Sequence, residues 1–337
     1  MEILNRYRKD LVAAMDSLVG EPVLSLPKGP PSPILTMCRY HLGLAEADGT
    51  PRGDAAGKML RPALCLAVCE ALGGDIHKCL PAALSLELVH RSSLIFDDIQ
   101  DRSPQRNHRP TTWGVWGVDQ AINAGLALSC YARLALHGLP EQGVSPGTFL
   151  EVQRLLEHTV IDLCRGQHLD IHFQQALSQE SVPKLDEYLE MVRLKTGVLL
   201  GVACEVGALI AGVSDQRVVA RGFGEALGVA FQLRDDILGV WGDPKETGKA
   251  ANDLAERKLT LPVVLLMQRL PGSCVLIERT EKEVQPLLGQ EAVGEEAISK
   301  VRDWSRQAET LLQALKLEPQ WEATLVSLTQ SLAMRYA

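Results

Sequence analysis

Three aspartates close an otherwise apolar stretch, Glu87-Leu-Val-His-Arg-Ser-Ser-Leu-Ile-Phe-Asp-Asp-Ile-Gln-Asp101. Leu86, Val89, Ile95, Phe96 and Ile99 fit a buried helix, on which Asp97 and Asp101 fall one turn apart with Asp98 at the edge of their face. Like charges at that spacing repel, so the arrangement calls for a cation. Oxygen ligands suit Mg2+, which takes one or two carboxylates plus substrate phosphates and keeps several waters. Taken alone, a solvated helix end would read the same way. A second stretch of the same kind, Phe231-Gln-Leu-Arg-Asp-Asp-Ile-Leu-Gly-Val-Trp-Gly-Asp243, shifts the balance. Two apolar helices that run into paired acids, far apart in sequence, are expected to face each other across a cavity of a helical bundle.

Basic side chains complete the chemistry. Lys58 and Arg61 lie three apart and can clamp one anion, Arg106 follows the first acidic cluster, and Lys195, Lys249 and Lys258 come from other segments. Arg suits bidentate phosphate recognition and Lys supplies a point charge, although any one of them alone reads as a surface residue. His90 precedes Asp97 by two turns, where a lone helical histidine is more often a satisfied core residue than a ligand. Gln232, three before Asp235, is placed to touch a metal-bound phosphate or to finish a polar network. Together these residues read as a site for diphosphates: Mg2+ eases a diphosphate out as leaving group, and an apolar pocket shields the carbocation left behind. No P-loop, nucleophile elbow or dinucleotide-binding glycine pattern occurs.

The elements that must position these residues read as helices. In 337 residues, 46% are hydrophobic and only 4% aromatic, with Leu and Ala carrying the core, a composition that favours helix packing over a sheet. Helices are expected over about 1–19, 32–44, 63–72, from 78–81 through the first acidic cluster, 117–136, 146–176, 184–212, 215–240, 259–267, 277–287, 293–313 and 320–335. The proline-broken segment 102–112 is expected to be loop. Short connections and the lack of a long linker imply one all-α domain over residues 1–337. A net charge of −8 disfavours nucleic acid as partner, and no apolar run is long enough for a membrane span. The 8 cysteines form no zinc pattern and read as free thiols, which with no signal sequence points to the cytoplasm.

From about residue 30 onward the sequence resembles the trans-isoprenyl diphosphate synthases, the polyprenyl synthetase family. The marks are Gly57-Lys-x-x-Arg-Pro62, Asp97-Asp-x-x-Asp101, Lys195-Thr196, Phe231-Gln-x-x-Asp-Asp-Ile-Leu238, and then Gly242-Asp and Gly248-Lys249 in order. The resemblance implies an isoprenoid-synthase-type helical bundle around a deep central cavity, usually in a homodimer. It implies extension of an allylic diphosphate by isopentenyl diphosphate. Asp97, Asp101 and Asp235 would bind Mg2+, supported by Asp98 and Asp236. Arg106, Lys195 and Lys249 would hold the allylic diphosphate. Lys58, Arg61 and His90 would hold isopentenyl diphosphate. Thr196 and Gln232 would support the reacting region, with the departing diphosphate as base.

Two positions depart from the family pattern. Asn107 stands where the family usually has a second arginine for isopentenyl diphosphate, with His108 and Arg109 as nearby substitutes, and Gly239 stands where many members have a third aspartate. Loss of that arginine keeps a synthase-like terpene cyclase in view, and a regulatory subunit of a hetero-oligomeric synthase is a third reading. Retained Lys58, Arg61 and His90 argue against the first, and the full set of metal ligands against the second. The resemblance also places product-length control upstream of Asp97. Small Ser92 and Ser93 there imply geranylgeranyl diphosphate, and Ser92→Phe is expected to shorten the product.

Overall fold

The protein is seen here as a computed structural model that describes residues 2–20, 32–52, 57–177, 182–242, 253–255, 258–270, 281–290 and 292–333. Lys249, Asp243, Gly248 and most of the proline-rich segment after Gly20 lie outside those residues. Apart from one small hairpin and an isolated bridge, the described elements are helices, and they group into two compact units.

The first unit comprises residues 1–156 with 206–213. It contains α1 (Glu2–Arg6), α2 (Arg8–Gly20), α3 (Pro33–Leu42), α4 (Leu60–Ala71), α5 (Ile76–Gln100), α6 (Thr112–Trp116), α7 (Val118–Leu136), α8 (Gly138–Glu141) and the start of α9 (Pro146–Leu177). Its axis is α5, which buries residues from Cys79 through Asp98 on nearly every side, the behaviour of a core helix. Asp75 caps it by accepting from the His77 N–H at 2.9 Å, so the helix starts at Ile76, two residues ahead of the expected 78–81, and Pro81 sits inside. Two serines a double turn apart tie α5 to α7: Ser85 Oγ donates to the Ala132 carbonyl at 2.6 Å and Ser92 Oγ to Gly125 at 2.8 Å. Leu64, Leu66, Leu86, Leu88 and Leu128 are fully buried here. Each contributes roughly 1.5–3 kcal/mol over an exposed position.

The second unit comprises residues 157–205 with 214–337. It contains the rest of α9, α10 (Leu185–Val192), a π-helical turn (Arg193–Gly197), the first part of α11 (Val198–Ile210), α12 (Arg217–Trp241), α13 (Leu261–Arg269), α14 (Glu281–Gln290), α15 (Val293–Ala314) and α16 (Pro319–Ala333). α12 packs along α15 and against α13, α16 and the π-turn. Val229, Leu233, Ile237, Val240, Leu265 and Val301 belong to its core.

Three sequence expectations change. The first helix is two, broken at Tyr7, whose buried hydroxyl donates to Glu70 Oε2 at 2.6 Å. The segment 102–112 is not plain loop: Gln105–Arg106 and Arg109–Pro110 form an antiparallel hairpin with Arg106 opposite Arg109. The helix expected over 184–212 is interrupted by the π-turn.

Candidate active site

In the first unit, α5 delivers the first acidic cluster at its C-terminal end, with Asp101 as its C-cap. The cluster divides by burial. Asp97 is half-buried and Asp101 exposed, whereas Asp98 is only 2% exposed. Asp98 is also committed, because Arg106 donates to its Oδ1 through both Nε and a terminal nitrogen at 2.8 Å. Burial pushes the Asp98 carboxyl up, and the Arg106 guanidinium pulls against it.

Arg106 is aimed by the hairpin. Its two central residues, Asn107 and His108, have φ of +50° and +61°, the mirror-image turn that joins two strands without splaying them. Asn is a residue that tolerates this backbone; arginine is not. Arg109 does not stand in for the missing cation. Its guanidinium lies over the Tyr40 ring, 4.3 Å from the centroid, and donates to the Ala45 carbonyl and Glu46 at 3.3 Å. His108 is exposed at the tip.

Arg61 and His90 share the first unit's basic field, whereas Lys58 is exposed just ahead of α4. Gly57 has φ +90°, and a Cβ there would sit 2.5 Å from an Arg91 terminal nitrogen, so only glycine lets the loop close over that side chain. Arg8 donates to the Gly57 carbonyl at 2.7 Å. Arg91 is paired with buried Glu87 at 2.7 Å. Arg61 Nε is buried with no hydrogen-bond acceptor among the described residues. Burial lowers the Arg61 pKa to about 10, with Glu87 and Asp97 pulling it up and Arg91 down. Burial, then Arg61 and Arg91, also drive His90 far below its ordinary value, so it offers a neutral N–H rather than a charge. A half-buried cation with one buried, unused donor beside a neutral imidazole is the donor set an incoming phosphate needs.

In the second unit, α12 delivers the second cluster with the same division. Asp235 is half-buried, and Asp236 is 6% exposed and fully engaged. Asp236 accepts from the Tyr188 hydroxyl, from Gln232 Nε2 at 3.0 Å and from the Leu261 N–H at 3.1 Å. Burial raises its pKa to about 6 against the opposing pull of those three donors. Gln232 Oε1 in turn accepts from Thr196 Oγ1 at 3.1 Å. A Cβ on Gly239 would meet the Asp253 carboxylate, which would have to move aside, and Lys258 Nζ reaches Asp253 at 3.4 Å.

Lys195 and Thr196 ride on the π-turn, and glycines set its seat. A Cβ on Gly166 would lie 2.5 Å from the Lys195 nitrogen, and one on Gly228 would lie 2.7 Å from the Gly197 Cα. Lys195 Nζ is paired with Asp170. Asp170 and Tyr188 are two site residues that sequence reasoning missed. Asp170 is an isolated acid on α9, eight residues from the nearest other acid, Asp162; its only signal is Gly166-Gln-x-x-Asp170, one helical turn. Tyr188 looks like any core aromatic.

Thus each cluster sets at least one more accessible carboxylate beside a buried, cross-linked one. Asp97 and Asp101 in the first unit and Asp235 in the second are oxygen donors of the kind that fit Mg2+. The polyprenyl synthetase family profile matches residues 53–302. The chain belongs to the polyprenyl synthetase family. Among curated members it is 42% identical over 234 residues to a geranylgeranyl diphosphate synthase of Mycobacterium tuberculosis, covering 69% of this chain and 65% of the relative. It is also 42% identical over 226 residues to a (2E,6E)-farnesyl diphosphate synthase of Mycobacterium bovis, covering 66% of this chain and 60% of the relative. The aligned region therefore spans somewhat less than two thirds of each relative's length. The crystal structure of a polyprenyl synthetase from Streptomyces coelicolor superposes with a TM-score of 0.85 at 30% identity, covering 99% of both chains. The family's all-α fold is that of this chain. No helix among the described residues is long and apolar enough to cross a membrane.

Proposed function

We propose that this polyprenyl synthetase is a prenyltransferase that joins isopentenyl diphosphate to an allylic diphosphate and releases a longer trans-prenyl diphosphate. The observation that carries this is the repeated pairing, in Asp97-Asp98 and Asp235-Asp236, of an accessible carboxylate with a buried one fixed by Arg106 or Tyr188. Such pairing fixes the backbone beside each metal-binding carboxylate through its buried neighbour. Asp97, Asp101 and Asp235 would hold Mg2+, which when bound neutralises the diphosphate leaving group. Arg106, Lys195 and Lys249 would bind the allylic diphosphate. Lys58 and Arg61 would grip isopentenyl diphosphate, with neutral His90 donating a hydrogen bond to it. Thr196 and Gln232 would line the reacting carbon, and the departing diphosphate would take the proton.

Geranylgeranyl diphosphate is the product we favour, because Ser92 and Ser93 are small. Relatives named for two different product lengths match at the same 42% identity, so overall similarity does not choose between them. We also propose a cytoplasmic homodimer. The cysteines of the described residues are free thiols, and α7 exposes a stripe of Val118 (42%), Ile122 (39%) and Leu126 (56%) at helical spacing. Leu126→Glu should shift the protein toward monomer in analytical ultracentrifugation.

The deciding assay supplies purified protein with Mg2+, farnesyl diphosphate and labelled isopentenyl diphosphate, and resolves products by chain length. Labelled geranylgeranyl diphosphate is the expected result. Hydrocarbon formed without isopentenyl diphosphate, or no turnover with any allylic substrate, would overturn the proposal.

A further inference from the structure

Thr196 and Gln232 are not oriented by each other alone. A carboxylate can only accept hydrogen bonds. Asp236 Oδ1 therefore obliges Gln232 to turn its NH2 group inward, at 3.0 Å, and its carbonyl the other way. That carbonyl then takes the Thr196 proton at 3.1 Å. With its proton committed, Thr196 Oγ1 has only lone pairs to present to a bound molecule. Lone pairs favour positive charge developing on an allylic carbon, and a proton there would oppose it.

The far end of this chain is Tyr188. Its side chain is 1% exposed in the core of the second unit, where a phenyl ring would pack as well. A hydroxyl buried that deeply is costly unless it is bonded. It is bonded to Asp236 Oδ2, which also receives the Leu261 N–H at 3.1 Å. Asp236 is thereby pinned from α10 and from the start of α13 together.

We propose that Tyr188 is a positioning residue for ionisation of the allylic substrate: by holding Asp236 it fixes the direction of the hydrogen-bond chain through Gln232, and so the face that Thr196 turns to the reacting carbon. This rests on the prenyltransferase reading above. Tyr188 touches neither substrate nor metal; it acts through Asp236.

The test is steady-state kinetics of the full chain, unaltered and as Tyr188→Phe, with farnesyl and isopentenyl diphosphates. Losing one buried bond to an ionised group should lower kcat roughly 10- to 100-fold with KM for both substrates within about twofold. Asp236→Asn, which frees the Gln232 amide to turn over, should lower kcat at least as far. In a Gln232→Leu background, Tyr188→Phe should cost less than about a further twofold, because the relay is already cut. Unchanged kcat in Tyr188→Phe overturns the proposal, whether or not Tm falls. So does a full, additive loss in the Gln232→Leu background. If the unaltered protein itself does not turn over, the prenyltransferase reading fails first and this proposal with it.

Discussion

Lys195 extends from the π-turn to pair with Asp170 of α9, and one turn earlier on α9 Gly166 lies directly against the Lys195 backbone. The side chain and the main chain of one lysine are thus both set by a single helical turn of α9. Asp170 fixes where the ammonium points, and Gly166 fixes how close the turn can come.

The two contacts should separate experimentally. Asp170→Asn keeps the shape but weakens the hold on Lys195, so KM for the allylic diphosphate should rise about tenfold, with Tm nearly unchanged. Gly166→Ala places a methyl 2.5 Å from a backbone nitrogen that cannot swing aside. Overpacking of that kind costs about 1–3 kcal/mol, so Tm should fall clearly, a result that thermal unfolding would check directly.

Asn107→Arg should have two opposed effects. It restores a cation on the hairpin, and the apparent KM for isopentenyl diphosphate should fall severalfold. It also places arginine at φ +50°, at roughly 1–2 kcal/mol of backbone strain. Equal KM values for the two proteins would show that the turn does not reach the second substrate. Arg109→Ala should leave that KM unchanged, since Glu46 and Tyr40 already occupy the side chain.

Product length should respond to Ser93 more cleanly than to Ser92. Ser92 Oγ is bonded to the Gly125 carbonyl, and the Phe96 ring fills the space above Gly125. Ser92→Phe therefore meets α7 and should destabilise the protein as well as shorten the product. Ser93 is half-buried and spends its hydroxyl only on the His90 carbonyl of its own helix. Ser93→Phe should move the product toward farnesyl diphosphate with little change in Tm, as chromatography of products made from labelled substrate would reveal.

Acid should unfold the protein partly through His41. This side chain bridges the Arg91 carbonyl at 2.8 Å and Thr112 at 3.3 Å. Burial, reinforced by Arg91, holds its pKa down at about 3, against 6.5 for a free imidazole. The unfolded chain therefore binds the extra proton first. The stability His41 lends is complete above about pH 6.5 and drains away as pH falls toward 3. His41→Gln should flatten that decline, and urea unfolding at pH 7 and pH 5 is the comparison to make.

The long helices were legible because their apolar positions repeat at the helical period, and both acidic clusters stood out as charges that an apolar helix does not otherwise need. What escaped the sequence was mostly set by tertiary contact. The hairpin at 105–110 has no glycine at its turn, and Asn107-His108 looks like ordinary loop until its φ values are known. α5 starts at its Asp75 cap, just ahead of the expected 78–81, because a cap satisfies the first N–H groups while proline merely fits near them. Tyr188 is invisible because its packing role and its hydrogen-bonding role call for nearly the same residue.

The π-turn has a consequence of a different kind. It holds one residue more than an α-turn would, and each residue advances a helix by about 100°. The residues after Gly197 therefore enter α11 a full step out of phase with α10. They are buried on every side from Val198 to Glu205, so no face is spare to absorb an error. Substitutions within 193–197 alter one side chain at a time, but a single-residue deletion would rotate everything downstream, as a lost base shifts a reading frame. In this segment length is under stricter control than composition.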